Sequence, residues 1–368
     1  MRTVGVEEEL LLVEPESGEP LSLATQVVRL AGADPEPVDQ TRPGGTVERE
    51  LQLQQIEVDT QPQSDLRALA EAVADARARA ARAAAGVGAH VAALATSPLP
   101  VAPRTTPAAR YLAMAERFGL TESEQLTCGL HVHVSVDGDE EGVAALDRIR
   151  VWLPVLLAIS ANSPFWQGVD SGYGSYRSQV WSRWPSAGPL PVLGSGEAYR
   201  ERVRVLLASE VPMDAGMLYF DARLSAQYPT VEIRVADVCL LARDTVLVAA
   251  LARALVDTAV RHWRAGLPAA LVPTSLLRLA HWRASRSGLD DVLLDPCSGR
   301  PERASAVVAA LLDHVREALD DAGDLAFVEK GLEDLLDRGP GALRQRAIHR
   351  RSGNLRDVVA DAVRLTAR

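Results

Sequence analysis

Apolar and polar positions alternate along several stretches of the chain, and each reads as a strand with two unlike faces. Thr3 to Glu14 mixes apolar and acidic positions, and a turn follows at Pro15 to Pro20. Val47 to Asp59 alternates again, so the first sixty residues read as strands. Leu130 to Asp137 runs Leu-His-Val-His-Val-Ser-Val-Asp, while Gly216 to Leu224 and Thr230 to Val235 predict paired strands joined at Gln227-Tyr228-Pro229. Val91 to Thr96 reads as a short buried strand.

Helical spacing fills the intervals. Asp65 to Ala85 is rich in Ala, Arg and Leu, opens at Ser64 or Asp65 and stops at Gly86 and Gly88. Ala108 to Phe118 predicts a helix ended by Gly119, Glu141 to Ser160 one bent at Pro154, and Glu197 to Ala208 another. Residues 161–196 change character: Trp166, Tyr173, Tyr176, Trp181 and Trp184 sit among Gly, Ser and Pro, which suggests an ordered loop able to wall a pocket. From Leu240 onward four or five helical segments follow with no strand. This order argues for an α+β fold with a mostly antiparallel sheet backed by helices. One domain spans 1–368, sheet-rich over 1–239 and mainly helical over 240–368.

Composition narrows the function. With 368 residues, 47% apolar and 24% charged, the chain can bury a full core. A net charge of -10 argues against nucleic acid or an anionic membrane as partner. Lys330 is the only lysine, which excludes a Walker-type phosphate site and leaves arginine, backbone N–H groups or metal ions to hold phosphate. The three cysteines, Cys128, Cys239 and Cys297, are far apart and odd in number, as expected in a reducing cytoplasm. The acidic start Glu7-Glu8-Glu9 does not suit a signal peptide, and no stretch reads as a membrane span.

Chemistry concentrates on the strands. Glu7 and Glu9 share one face of the first strand and Glu8 the other, the pattern of either a solvated acidic strand or a site for an oxygen-seeking dication. Glu50 and Glu57 are separated by an odd number of residues, so an ideal strand puts them on opposite faces, and a bulge or twist is needed for both to serve one site. An exposed edge strand is the simpler reading of that segment alone. His131 and His133 share a face suited to metal or phosphate, and Glu232 and Arg234 do the same. Asp221 and Arg223 extend that polar face. Carboxylates, histidines and arginines on four strands fit Mg-nucleotide chemistry on a concave sheet face. A zinc hydrolase lacks a third His or Cys at ligand spacing.

Three segments, Gly5-Val6-Glu7-Glu8-Glu9-Leu10, Cys128-Gly129-Leu130-His131-Val132-His133 and Thr230-Val231-Glu232-Ile233-Arg234-Val235-Ala236-Asp237, resemble the type-2 glutamate–cysteine ligase family of carboxylate–amine ligases. Trp282-Arg283-Ala284-Ser285-Arg286-Ser287-Gly288-Leu289 and Gly341-Ala342-Leu343-Arg344-Gln345-Arg346 resemble its C-terminal motifs, although His281 stands where an asparagine is expected. The resemblance implies a single catalytic domain of glutamine-synthetase-like fold that joins a carboxylate to an amine through an acyl phosphate, with ATP and Mg2+. L-Glutamate and L-cysteine are the namesake substrates.

By the same resemblance, Glu7, His131 and Glu232 form one metal site and Glu9, Glu50 and Glu57 a second. Arg234, assisted by Arg223, meets the transferring phosphoryl group, and His133 contacts the nucleotide phosphates. Arg177 and Arg183, with Tyr176 in the same aromatic loop, are candidates to bind the substrate's α-carboxylate, the alternative being surface arginines on a long loop. A non-catalytic metal- or nucleotide-binding regulator of the same fold and a metallohydrolase are the rival functions. Oligomeric state is open between monomer and homo-oligomer.

Overall fold

The computed structural model describes residues 1–32 and 44–367, so the stretch 33–43 of the sheet-rich part lies outside the described residues. At the centre of the sheet lies β1 (Val4–Val13), whose apolar and acidic alternation produces the expected strand. Helix α1 (Ala24–Ala31) follows, where the opening residues read as strands throughout; only its Ala24 and Val27 are fully buried, a stripe too short to stand out in the sequence.

The stretch 47–59 is two strands rather than one. β2 (Val47–Arg49) and β3 (Gln55–Asp59) pair antiparallel, and the chain reverses between them. Helix α2 (Leu66–Ala85) is capped as predicted, with the Asp65 carboxylate accepting the Ala68 N–H at 2.9 Å. β4 (His90–Ala92), α3 (Ala109–Phe118), the single turn α4 (Leu120–Ser123) and β5 (Gly129–Ser135) come next. The expected bent helix over 141–160 is two helices, α5 (Asp139–Ile149) and α6 (Leu153–Ser160). Pro154 lies in the first turn of α6, where no N–H is required, so it starts a helix instead of bending one.

The aromatic segment 161–196 holds a small hairpin of β6 (Phe165–Trp166) and β7 (Val169–Asp170), then α7 (Tyr176–Trp181). The buried Asp237 carboxylate pins it, accepting the Asn162 N–H at 2.8 Å and the Ser163 and Ser175 hydroxyls at 2.7 and 2.8 Å. After α8 (Gly196–Ala208), the predicted strand over 216–224 shrinks to β8 (Ala222–Leu224) behind a 3-10 turn, while β9 (Thr230–Asp237) runs the full length of its alternation.

The helical part contains α9 (Ala242–Arg264), α10 (Thr274–Ser287), α11 (Ala304–Ala322), α12 (Leu325–Arg338), α13 (Gly341–Ser352) and α14 (Leu355–Thr366). It also contains a hairpin of β10 (Val292–Leu294) and β11 (Pro301–Arg303), which alternation over three residues could not announce. The second C-terminal motif has a structural use. Gln345 on α13 donates to both the backbone and side-chain oxygens of Asn162, at 2.8 and 2.7 Å, and a Cβ on Gly341 would meet Asn162 Oδ1 at 2.1 Å.

Every pairing in the main sheet is antiparallel, in the order β2-β3-β1-β5-β9-β8, with β4 on the last residues of β1. Val4, Val6, Leu130, Val132, Val134, Val231 and Ile233 turn to one face, where they pack against α5, α6 and the largely buried α9. Burial of these side chains, worth about 1.5–3 kcal/mol each, fixes which face is dry. Their alternate neighbours are thereby forced to the other face. Among the described residues no helix is long and apolar enough to cross a membrane.

Candidate active site

Residues opposite one another across antiparallel strands share a face. Glu7 on β1 stands opposite Asp59 on β3 and His131 on β5, and Glu9 stands opposite Glu57. His133 on β5 is opposite Glu232 on β9, which is opposite Arg223 on β8. The register shifts between Leu130 and Val132: two steps along β5 match three along β9, from Ala236 to Ile233, so Arg234 and Val235 together face His131. Glu50 follows β2, and the reversal before β3 is what lets it join Glu57 despite their odd spacing.

Glu7, Glu50, Glu57, Asp59, His131, His133, Arg223, Glu232 and Arg234 line a cavity of about 580 Å3, and Glu9 lies buried behind it. His131 Nδ1 lies 3.0 Å from Glu7 Oε2, and His133 Nε2 lies 3.0 Å from Glu7 Oε1. Arg223 grips Glu232 through Nε and Nη2 at 2.7 and 3.1 Å, and Arg234 Nη1 donates to the same carboxylate. The Tyr111 hydroxyl on α3 donates to Glu50 at 3.0 Å, and the Gly129 N–H donates to Glu9 at 2.5 Å.

Opposed charges divide the site. Burial, then the Glu50 carboxylate, pushes Glu9 up to about 7, and burial with Glu7, Glu50 and Glu9 holds Glu57 well above the ordinary carboxylate range. Burial alone would raise Glu232 as well, but Arg234 and Arg223 bring it down to about 2. Burial, reinforced by Arg234, lowers His131 to about 4, so its ring is neutral and able to ligate.

The donor set fits a hard dication. His131 Nε2 is buried without a hydrogen-bond partner, and the buried carboxylate of Glu9 and the half-buried ones of Glu50 and Glu57 crowd together although their charges repel. Ligand atoms of Glu7, His133 and Glu232 come within 4.8 Å of one another, as do those of Glu7, Glu57 and His131. The histidine beside Glu232 is thus His133, its register partner, whereas the resemblance placed His131 there. Glu9 and Glu50 complete the acidic cluster.

The loop's three substrate candidates, Arg177, Arg183 and Tyr176, lie outside the cavity lining. Arg177 is only 2% exposed and does not line the cavity; its guanidinium donates to the Val235 and Arg234 carbonyls, both at 3.3 Å, and fills the irregularity in β9. A Cβ on Gly129 would come within 2.3 Å of Arg177 Nη2, which explains the glycine ahead of the His-Val-His run. Arg183 instead forms an ion pair with Glu124 at 2.6 Å at the surface. Tyr176 packs edge-on against Tyr173 and at a tilt against Trp166, also away from the cavity. Asp221 does not line the cavity; its carboxylate lies 3.2 Å from Nε2 of His281, the histidine ahead of the Trp-Arg motif.

Residues that sequence reasoning did not single out for the site are Tyr111, Arg110, Arg200 and Tyr219. They come from α3, α8 and the segment before β8, where nothing in the local pattern marks them. Trp181 and Trp184 do line the cavity, in keeping with the aromatic segment as a pocket wall.

The model of glutamate–cysteine ligase family 2 matches residues 3–361. The chain belongs to that family. Members provisionally named glutamate–cysteine ligase 2-1 of Streptomyces avermitilis and glutamate–cysteine ligase 2 of Streptomyces coelicolor are each 56% identical over 366 residues, covering 100% of this chain and 99% of theirs. The fold is shared with the glutamate–cysteine ligase of Francisella tularensis in complex with AMP, at TM-score 0.67 and 12% identity over 99% of this chain and 88% of that one. It is also shared with the bifunctional glutathione synthetase of Pasteurella multocida, at TM-score 0.70 and 13% identity; this chain spans 52% of that one. As a member of glutamate–cysteine ligase family 2 the protein is a ligase, of the ATP-dependent carboxylate–amine class.

Proposed function

We propose that the protein joins a small carboxylic acid, L-glutamate being the first candidate, to an amine through an acyl phosphate. The observation that carries this reading is the convergence of Glu7, Glu57, His131, His133, Glu232 and Arg234 on one cavity in a chain of this family. The acid's carboxylate attacks the γ-phosphorus of ATP, the bond to ADP breaks, and the amine then displaces phosphate from the acyl carbon.

Glu7, His133 and Glu232 would hold one magnesium ion and Glu7, Glu57 and His131 a second, with Glu9 and Glu50 beside them. Bound there, magnesium neutralises charge that develops on the phosphate oxygens. Arg234 and Arg223 have planar forks, which here hold Glu232 and which would take phosphoryl oxygens as they pass from ATP to the acid. His133 is held by Thr230, its Nδ1 2.9 Å from the Thr230 hydroxyl, and faces the same space. Cys128 and Cys239 are buried free thiols and Cys297 an exposed one, which supports a reducing compartment such as the cytoplasm.

The test is interception of the intermediate. Hydroxylamine supplied with ATP, magnesium and L-glutamate, and no other amine, should yield γ-glutamyl hydroxamate. ATP-independent phosphate release, or no hydroxamate with any common amino or organic acid, would reject the proposal.

A further inference from the structure

The reversal between Glu50 and Glu57 carries two buried glutamines that the chemistry above does not use. Gln52 and Gln54 are 0 and 2% exposed, and neither lines the cavity. A buried amide is costly without hydrogen bonds, and the bonds these side chains form run to residues 102–122. Gln54 Nε2 donates to the Ala102 carbonyl at 3.0 Å, and its Oε1 accepts the Arg104 N–H at 3.0 Å. Gln52 Nε2 donates to the carboxyl and to the backbone carbonyl of Glu122 on α4, both at 3.1 Å. The Thr105 hydroxyl donates to the same Glu122 carboxyl oxygen at 2.9 Å.

Backbone bonds complete the seam. The Thr106 hydroxyl donates to the Glu50 carbonyl at 2.6 Å, the Thr106 N–H to that of Leu51 at 2.8 Å, and the Leu53 N–H to that of Arg104 at 2.7 Å. Every residue from Glu50 to Gln54 is thus stitched to a segment that holds none of the cation ligands proposed above. Its far anchor, Glu122, is 0% exposed and does not line the cavity either.

The seam works against a force. Glu50 shares its end of the site with Glu9 and Glu57, and its charge raises both of them. The Glu50 carboxylate itself is held by the Tyr111 hydroxyl at 3.0 Å. Without the seam, repulsion would swing the reversal outward, because a loop between two short strands has little stiffness of its own. Glutamines suit the task, since they bind carbonyl and carboxyl oxygens without adding another like charge to the cluster.

Resting on the metal sites of the proposed function, we infer that Gln52 and Glu122 are positioning residues, which hold the reversal so that Glu50 stays beside the second cation. They touch neither substrate nor metal, and through Glu50 they set how tightly the cation is held. The hydrogen bond matters and the charge of Glu122 does not, because Gln52 donates to a single carboxyl oxygen that a glutamine also offers.

The test titrates Mn2+, a stand-in for magnesium read by electron paramagnetic resonance, into the protein without nucleotide. Gln52→Leu and Glu122→Leu should each weaken binding about tenfold and raise KM for magnesium, with kcat at saturating magnesium largely kept. Glu122→Gln, which keeps the accepting oxygen, should bind like the parent. In a Glu50→Gln background Glu122→Leu should cost nothing further. A folded Glu122→Leu with parent affinity, a Glu122→Gln as weak as Glu122→Leu, or the same further loss without Glu50 overturns the inference. If neither leucine variant folds by circular dichroism, Thr105→Val decides: weaker Mn2+ binding supports the role and unchanged binding overturns it. A parent that binds no Mn2+ rejects the metal sites as well; a parent that binds it, with unaltered variants, rejects this inference alone.

Discussion

Glu7 and Glu8 are neighbours in the chain and occupy opposite worlds. Glu7 opens onto the cavity, 3.0 Å from ring nitrogens of both His131 and His133. Glu8 is buried on the helix side, where Arg77 grips it through two hydrogen bonds at 2.6 and 2.7 Å and the Thr245 hydroxyl adds a third at 2.6 Å.

Two substitutions of equal size should therefore differ in kind. Glu8→Gln leaves the Arg77 cation buried without its counter-charge and should cost about 3–5 kcal/mol in urea unfolding. Glu7→Gln should abolish ligation while leaving unfolding within about 1 kcal/mol of the parent. Normal turnover in Glu7→Gln would remove it from the metal site.

Repulsion among Glu57, Glu7, Glu50 and Glu9 is present whenever no cation lies between them. Magnesium should accordingly raise the thermal midpoint above that measured in EDTA. Glu57→Gln should raise the EDTA midpoint by about 2 °C or more and shrink the gain from magnesium. Paired melting scans decide the matter, and an equal magnesium gain in both proteins counts against Glu57 as a ligand.

Arg234→Lys should fail almost as badly as Arg234→Ala, each losing about 100-fold or more in kcat, because a point charge cannot replace a fork that spans two oxygens. Steady-state kinetics with a circular dichroism control distinguishes this from misfolding. A lysine variant with near-normal kcat would make Arg234 a partner of Glu232 and nothing more.

Arg183→Ala should leave KM for the acid within about twofold, since its partner is Glu124 and an exposed ion pair contributes little. Arg177→Met should instead destabilise the protein, because its guanidinium donates to two carbonyls in the interior. A large rise in KM for Arg183→Ala would return that residue to the substrate.

His314 gives an acid-sensitivity test away from the site. Burial, with a smaller push from His262, lowers it to about 4, and its ring stacks on Trp152 at 4.8 Å. Between about 6.5 and 4 the unfolded chain binds a proton that the native ring refuses, so stability falls as pH drops through that window. His314→Phe keeps the stacking and should flatten the midpoint-versus-pH curve there; an unchanged slope would assign the sensitivity to other groups.

Alternation with period two is a local property, and it was enough to place Glu7 with Glu9, His131 with His133, and Glu232 with Arg234 on shared strand faces. The valines and leucines between them decided which face would be dry, so the long strands β1, β5 and β9 and the acidic, histidine-bearing face were legible from the residues alone, whereas α1 and the short hairpins were not. Pairing between strands is not local. The register that sets His133 opposite Glu232, the irregularity that puts Arg234 and Val235 opposite His131, and the reversal that brings Glu50 back to Glu57 depend on contacts far apart in sequence. The same holds for Arg177, which the sequence left as a substrate contact or a surface arginine and which is buried instead with its guanidinium on the Arg234 and Val235 carbonyls of β9. Tyr111 and Tyr219 reach the cavity only because α3 and the segment before β8 dock at its rim, a choice made by packing of side chains that no short stretch of sequence contains.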